Sequence, residues 1–180
     1  MHDVCGKVRL RALEPEDLAL LEAWENDPSL QAVGTATGPY SRYQLRNYIA
    51  SSQNDLYADG QLRLMIEHAD LGTVGIIDLC TFDARHNRAE VGLLIAAPYR
   101  RKGFGRQAVR LLETHCFESL GLAQLYLYVA ADNVPCLHLF LSEGYKKSGC
   151  LSHWLRTGTV YKDVCLLQKL NPALFASSIE

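Results

Sequence analysis

The sequence lacks any apolar run long enough to cross a bilayer, and it lacks the short apolar segment that heads a secretory leader. It also lacks internal repeats, low-complexity tracts and linker-like stretches. Its 180 residues are therefore expected to form one domain with a proper core, with only 171–180 held loosely. The six cysteines (Cys5, Cys80, Cys116, Cys136, Cys150, Cys165) show no C-x-x-C spacing. Without a leader, such scattered thiols are expected to be free. His115-Cys116 and Cys136-x-His138 have the wrong spacing for a standard zinc site, so no metal is expected. A net charge of −2 argues against a dedicated nucleic-acid binder. The expectation is a cytoplasmic protein that engages neither membrane nor nucleic acid.

Two further absences are local. Between Arg11 and Arg42 there is no lysine or arginine, while Glu14, Glu16, Asp17, Glu22, Glu25 and Asp27 supply six carboxylates. The plain reading is a solvated helix face; the sharper one is an electrostatic funnel for a cationic amine. Between Val91 and Leu112 the asymmetry reverses: five Lys/Arg and no Asp or Glu.

The basic stretch has the makings of an anion site. Val91 to Ala97 is an apolar run of strand length. Pro98-Tyr99 turns the chain into Arg100-Arg101-Lys102-Gly103-Phe104-Gly105-Arg106, and a helix carrying Val109, Leu111 and Leu112 follows. A glycine-containing loop entering a helix exposes unpaired amides, and the helix dipole adds positive charge. That suits a multiply charged phosphate ligand. Gly103 to Ala108 also fits a dinucleotide-binding fingerprint, with Asp132 downstream. Against it, Pro98 to Lys102 separate the strand from the first glycine, and an expected antiparallel meander, rather than a doubly wound unit, precedes it.

The fuller pattern, Arg100-x-x-Gly103-x-Gly105 after such a strand, resembles the acetyl-CoA pyrophosphate loop of the GNAT family of N-acetyltransferases. Arg9-Leu10-Arg11 with Pro15-Glu16-Asp17-Leu18, Arg88-Ala89-Glu90, and Asn133 through Gly144-Tyr145 resemble the branch that holds ribosomal-protein N-terminal and spermidine acetyltransferases. The likeness runs from about Val8 to Leu170. It implies an α/β (α+β) fold: a mixed, mostly antiparallel sheet of about seven strands flanked by about four helices. It implies an enzyme that moves acetyl from acetyl-CoA, its co-substrate, to an amine acceptor, either a polyamine-like molecule or a protein N-terminus. Homo-oligomers are common in this branch.

The same resemblance assigns the pyrophosphate to the backbone of Arg101, Lys102, Gly103, Phe104, Gly105 and Arg106. It gives the main chains of Leu93, Leu94 and Ile95 to the pantetheine arm, as an added strand, and Asn133 to CoA as well. Glu90 is the candidate base, with a strand-edge ion pair to Arg88 or another cation as its competing role. At the family's tyrosine acid this chain has Phe140, which fills the slot against CoA but donates no proton. Ser142, Tyr126, Tyr128 or water would then protonate the thiolate; alternatively, the chain is a catalytically silent acyl-CoA-binding module.

The remaining elements follow from local signals. Val8 to Leu13 is a strand, and Leu18, Leu21 and Trp24 stripe a first helix. Pro28 to Pro39 is a loop, and Ser41-Arg42-Tyr43-Gln44 is a capping box opening a helix to about Ser51. The resemblance makes this region a wall of the acceptor site. Leu62 to His68 and Gly72 to Phe82 are strands, as is Gln124 to Ala130. Asn133 caps a helix over Val134 to Glu143, ended by Gly144. Tyr145 to His153 and Thr159 to Leu167 form a closing hairpin about Thr157-Gly158.

Overall fold

A computed structural model of the chain describes residues 8–27 and 38–175. Most of the expected loop at Pro28 to Pro39 lies outside the described residues. Seven strands form one sheet: β1 (Val8–Ala12), β2 (Leu62–His68), β3 (Gly72–Asp83), β4 (Arg88–Ile95), β5 (Gln124–Ala130), β6 (Lys146–Thr157) and β7 (Val160–Leu170), in the order β1-β2-β3-β4-β5-β7-β6. Every neighbouring pair is antiparallel except β4 and β5. Among the described residues the sheet is not doubly wound, which removes the dinucleotide reading.

The pleat sends alternate residues to two cores. On one face Ile77, Leu79, Ala89, Val91, Leu125 and Leu127 pack beneath α4 (Phe104–Thr114) and α5 (Val134–Ser142). On the other face Met65 and Ile76 meet α1 (Leu18–Glu25) and α2 (Arg42–Ser51) through Leu18, Leu21 and Leu45. A short α3 (Leu56–Asp59) precedes β2, and α6 (Pro172–Phe175) follows β7. The capping box at the start of α2 is made in both directions. Ser41 Oγ accepts from the Gln44 amide at 3.2 Å, and Gln44 Oε1 accepts from the Ser41 amide at 2.8 Å.

Four expectations change. The central strand begins at Arg88 and ends at Ile95, because Ala97–Tyr99 already form a 3₁₀ turn. The buried stripe of α4 is Phe104, Ala108, Val109 and Leu112, continued by Cys116, while Leu111 is exposed. The hairpin strands both run longer than expected and meet at Thr157 and Val160. The tail is anchored where it starts: Asn171 is buried, its amide N–H donates to Ala123 O at 2.9 Å, and its side chain donates to Leu122 O at 2.9 Å.

Candidate active site

β4 and β5 are joined only from Arg88/Gln124 to Glu90/Tyr126. Beyond that point β4 pairs only with β3 and β5 only with β7, so the strands part and their facing edges have no ladder partner among the described residues. Four contacts fix which β4 groups face the opening. Ala96 N–H donates to Val74 O at 3.0 Å, Cys80 Sγ reaches Glu90 O at 3.7 Å, and Leu94 O lies against Gly75. Ile95 O instead accepts from Arg100 Nε at 2.9 Å. By strand alternation, Leu93 and Ile95 present main-chain groups to the opening. Leu94 turns its main chain to β3, which corrects the expectation that all three face a ligand.

The loop that follows opens outward. Positive φ at Arg101 (60°) and Gly103 (84°) bends the backbone in the manner of anion-binding concavities. The amides of Arg101 to Arg106 meet no acceptor among the described residues, and the first main-chain bond of α4 is Gln107 N–H to Gly103 O. The two glycines serve different ends. Gly103 supplies the left-handed turn, with open space where a Cβ would stand. Gly105 lies beneath side chains, its missing Cβ only 3.3 Å from Leu139 and 3.4 Å from Leu93, so it lets α4 approach α5 and β4.

The five cations divide. Arg106 Nε and Arg110 Nε bind Glu143 at 2.8 and 2.6 Å, clamping α4 to α5. Lys102 lies over the Tyr99 ring at 5.7 Å, and Arg100 caps Ile95. Arg101 has no partner among the described residues. The positive charge at the loop therefore comes from Arg100 to Lys102 and the helix terminus, not from all five side chains.

Glu90 stands at the fork, half-buried, with its side chain on the face away from α4. Burial pushes its carboxyl above the ordinary range, and a bond from Thr81 Oγ1 at 3.3 Å opposes that rise. Arg88, the expected competitor, reaches Asp83 at 3.1 Å instead. Opposite Glu90 in register is Tyr126, edge-on to Tyr128 with centroids 5.9 Å apart. Burial, then the Glu90 charge, raises the Tyr126 phenol above its usual value.

Asn133 caps α5, its Oδ1 accepting from Cys136 N–H at 3.3 Å. Phe140 has no exposed surface; its ring stands edge-on to Tyr145 at 5.0 Å inside the core. It can touch no cofactor, contrary to expectation. Ser142 is also unsuited as a proton donor, because its hydroxyl donates to Leu139 O at 2.8 Å.

On the acceptor face three of the six carboxylates of the acidic segment are held by arginines. Arg11 grips Asp17 at 2.6 and 2.8 Å, Arg42 binds Glu22 at 2.5 Å, and Arg63 binds Glu25 at 2.6 Å and Asp78 at 2.9 and 3.0 Å. Burial alone would raise the Asp17 carboxyl, but bonds from Arg11 and the Glu14 amide hold it below the ordinary range. An open funnel of six free carboxylates is not what the described residues form. Among the described residues no cluster of three or more His, Cys, Asp or Glu could hold a metal ion, and no helix is long and apolar enough to cross a membrane.

Comparisons with known proteins bear on the family and the fold. The sequence profile of the acetyltransferase (GNAT) domain matches residues 7–146. The spermidine N(1)-acetyltransferase of Vibrio cholerae is 25% identical over 159 residues, covering 88% of this chain and 90% of that protein. The Escherichia coli K12 protein of the same name is 27% identical over 168 residues, covering 89% and 86%. The crystal structure of the Vibrio cholerae enzyme in complex with CoA and spermine superposes with a TM-score of 0.83 at 25% identity, over 92% of this chain and 96% of that one. The chain belongs to the GNAT family of acetyltransferases and is an enzyme that uses acetyl-CoA as its acetyl donor.

Proposed function

We propose that the enzyme acetylates a polyamine-like primary amine by direct attack on acetyl-CoA, with Glu90 as the base. The observation that carries this is Glu90 at the point where β4 and β5 part, with free amides at Arg101 to Arg106 beyond the far end of the same strand. The choice of a polyamine rests on the relatives, two of which are spermidine N(1)-acetyltransferases, and on the neighbouring structure that holds spermine.

Each role follows from the chemistry. The amides of Arg101 to Arg106, with Arg100 to Lys102 beside them, hold the diphosphate. Leu93 and Ile95 bind the pantetheine arm as an added strand. Asn133 contacts CoA through its side-chain NH₂, which its cap bond leaves available. A primary ammonium cannot attack until it loses a proton, and Glu90, made more basic by burial, takes it. The nitrogen bonds to the thioester carbonyl carbon and the C–S bond breaks. Main-chain N–H groups at the fork stabilise the oxyanion between those events. Tyr126, kept protonated by its surroundings, donates to the leaving sulfur. Of the two protons the nitrogen gives up, one ends on sulfur and the other in solvent.

Free-thiol release from acetyl-CoA with spermidine and spermine, run against aminoglycosides and peptides, tests the reading. Turnover with the polyamines is expected, and kcat should fall about 10²–10⁴-fold in Glu90→Gln. Turnover with peptides alone would overturn the acceptor class. Full activity in Glu90→Gln would overturn the base.

A further inference from the structure

The β3 strand carries a bulge beside Glu90. Its register to β4 runs evenly as far as Cys80↔Glu90 and resumes at Asp83↔Arg88, so Thr81 and Phe82 together face the single residue Ala89. Thr81 adopts φ 50°, a left-handed conformation that a β-branched residue rarely tolerates. The bulge is held from outside the sheet. Phe82 N–H donates to Gly60 O at 3.3 Å, and the Phe82 ring stands edge-on to Tyr57 at 4.9 Å.

The consequence is a change of face. Cys80 is the register partner of Glu90 and shares its side of the sheet. Regular pleating would send the next side chain, Thr81, to the opposite side. The left-handed residue turns it back, and its hydroxyl donates to Glu90 Oε2 at 3.3 Å. A bulge that re-aims one side chain next to a reactive group is a recurrent device, and strain kept at such a point is evidence of use.

We infer that Thr81 is a positioning residue for acetyl transfer: the bulge delivers its hydroxyl to Glu90 and fixes that carboxylate, ionised and oriented, at the fork between β4 and β5. The inference rests on the reading of Glu90 as the base. Other groups face Glu90 without doing this job. Cys80, on β3, has its thiol pushed to about 11, first by burial and then by Glu90, and is neutral near pH 7. Tyr126, on β5, is likewise neutral there, and Arg88, on β4 itself, is engaged with Asp83. Asp78 lies farther along β3, bound by Arg63.

The test measures the Glu90 carboxyl directly, independent of any acceptor. Protein carrying ¹³C-labelled glutamate is titrated by NMR, and the Glu90 signal is identified by its loss in Glu90→Gln. Thr81→Val keeps the branched shape and removes the donor; it should move the Glu90 titration upward. Thr81→Ser should restore the native value. Thr81→Gly relieves the backbone strain, so it should melt at or above the native temperature while titrating like Thr81→Val. A Glu90 titration unchanged in both Val and Gly variants would overturn the inference and leave the base assignment standing. Conversely, if thiol release is unimpaired in Glu90→Gln while the titration shifts as expected, the contact is real but the base is wrong, and the inference falls with it.

Discussion

Two stretches of this chain are charged with one sign only, and the fold treats them in opposite ways. From 12 to 41 there are only carboxylates; from 91 to 112 there are only cations. The acidic stretch is met from outside by Arg11, Arg42 and Arg63, which reach Asp17, Glu22 and Glu25 from β1, α2 and β2. The basic stretch gives up Arg106 and Arg110 to Glu143 but keeps its loop open. What separates the two is the backbone: the basic loop exposes six amides, whereas the acidic stretch offers side chains that distant arginines can reach. A segregated charge is therefore weak evidence of a binding site, and unpaired main-chain donors are stronger evidence.

The largest effect that can break this comparison lies in the acidic region. Arg63 holds Glu25 and Asp78 together and lies 5.4 Å from the centre of the Tyr48 ring. Arg63→Met leaves two partly buried carboxylates without their cation and should cost about 3 kcal/mol in chemical denaturation. The matching change in the basic loop, Arg101→Met, should alter stability by no more than about 0.5 kcal/mol. It should instead weaken CoA binding about tenfold in calorimetry, worth about 1.4 kcal/mol. Stability lost at Arg101 and kept at Arg63 would reverse the assignment of the two regions.

A smaller effect tests the backbone alone. Gly103→Ala adds a methyl where nothing lies within 4 Å, so any loss comes from the φ of 84° and not from crowding. The cost should be about 1–2 kcal/mol, either as lost stability or as loop distortion that weakens CoA binding. Gly105→Ala should behave differently, because its methyl meets Leu139 and Leu93 at 3.3 and 3.4 Å. Packing between α4 and α5 then absorbs the change. If both variants lose CoA affinity equally with no change in stability, the division of labour between the glycines is wrong.

The sequence showed much of this architecture because the strongest signals were local. The capping box at Ser41 and Gln44, the N-cap at Asn133 and the turn into α4 each depend on neighbours within a few residues. What stayed hidden depended on distant partners. Nothing near Glu22 or Glu25 foretells the arginines that bind them. Leu111 belongs to the apolar pattern of α4, but the helix face is set by contacts to β1, β3 and β4 and leaves it outside. The family resemblance set Phe140 against CoA, but its burial against Tyr145 follows from the core. Thr81 gives no sign of the bulge, since an ordinary strand of the same composition would read alike.

The smallest expected effect is the most exacting for the comparison, because it is nearly zero. Glu22 lies on the helix first read as a possible funnel for an amine, and its pair with Arg42 joins side chains 35% and 54% exposed. Exposed pairs of this kind contribute about 0–1 kcal/mol, and the charge is already screened by its partner. Glu22→Gln should therefore shift KM for spermidine by less than about twofold and leave its salt dependence unchanged. A tenfold rise in KM that vanishes at high salt would mean that α1 attracts the amine through its net field despite the ion pairs. In that case the six carboxylates act together as a long-range attractor, and neutralisation by Arg11, Arg42 and Arg63 shapes the field without abolishing it.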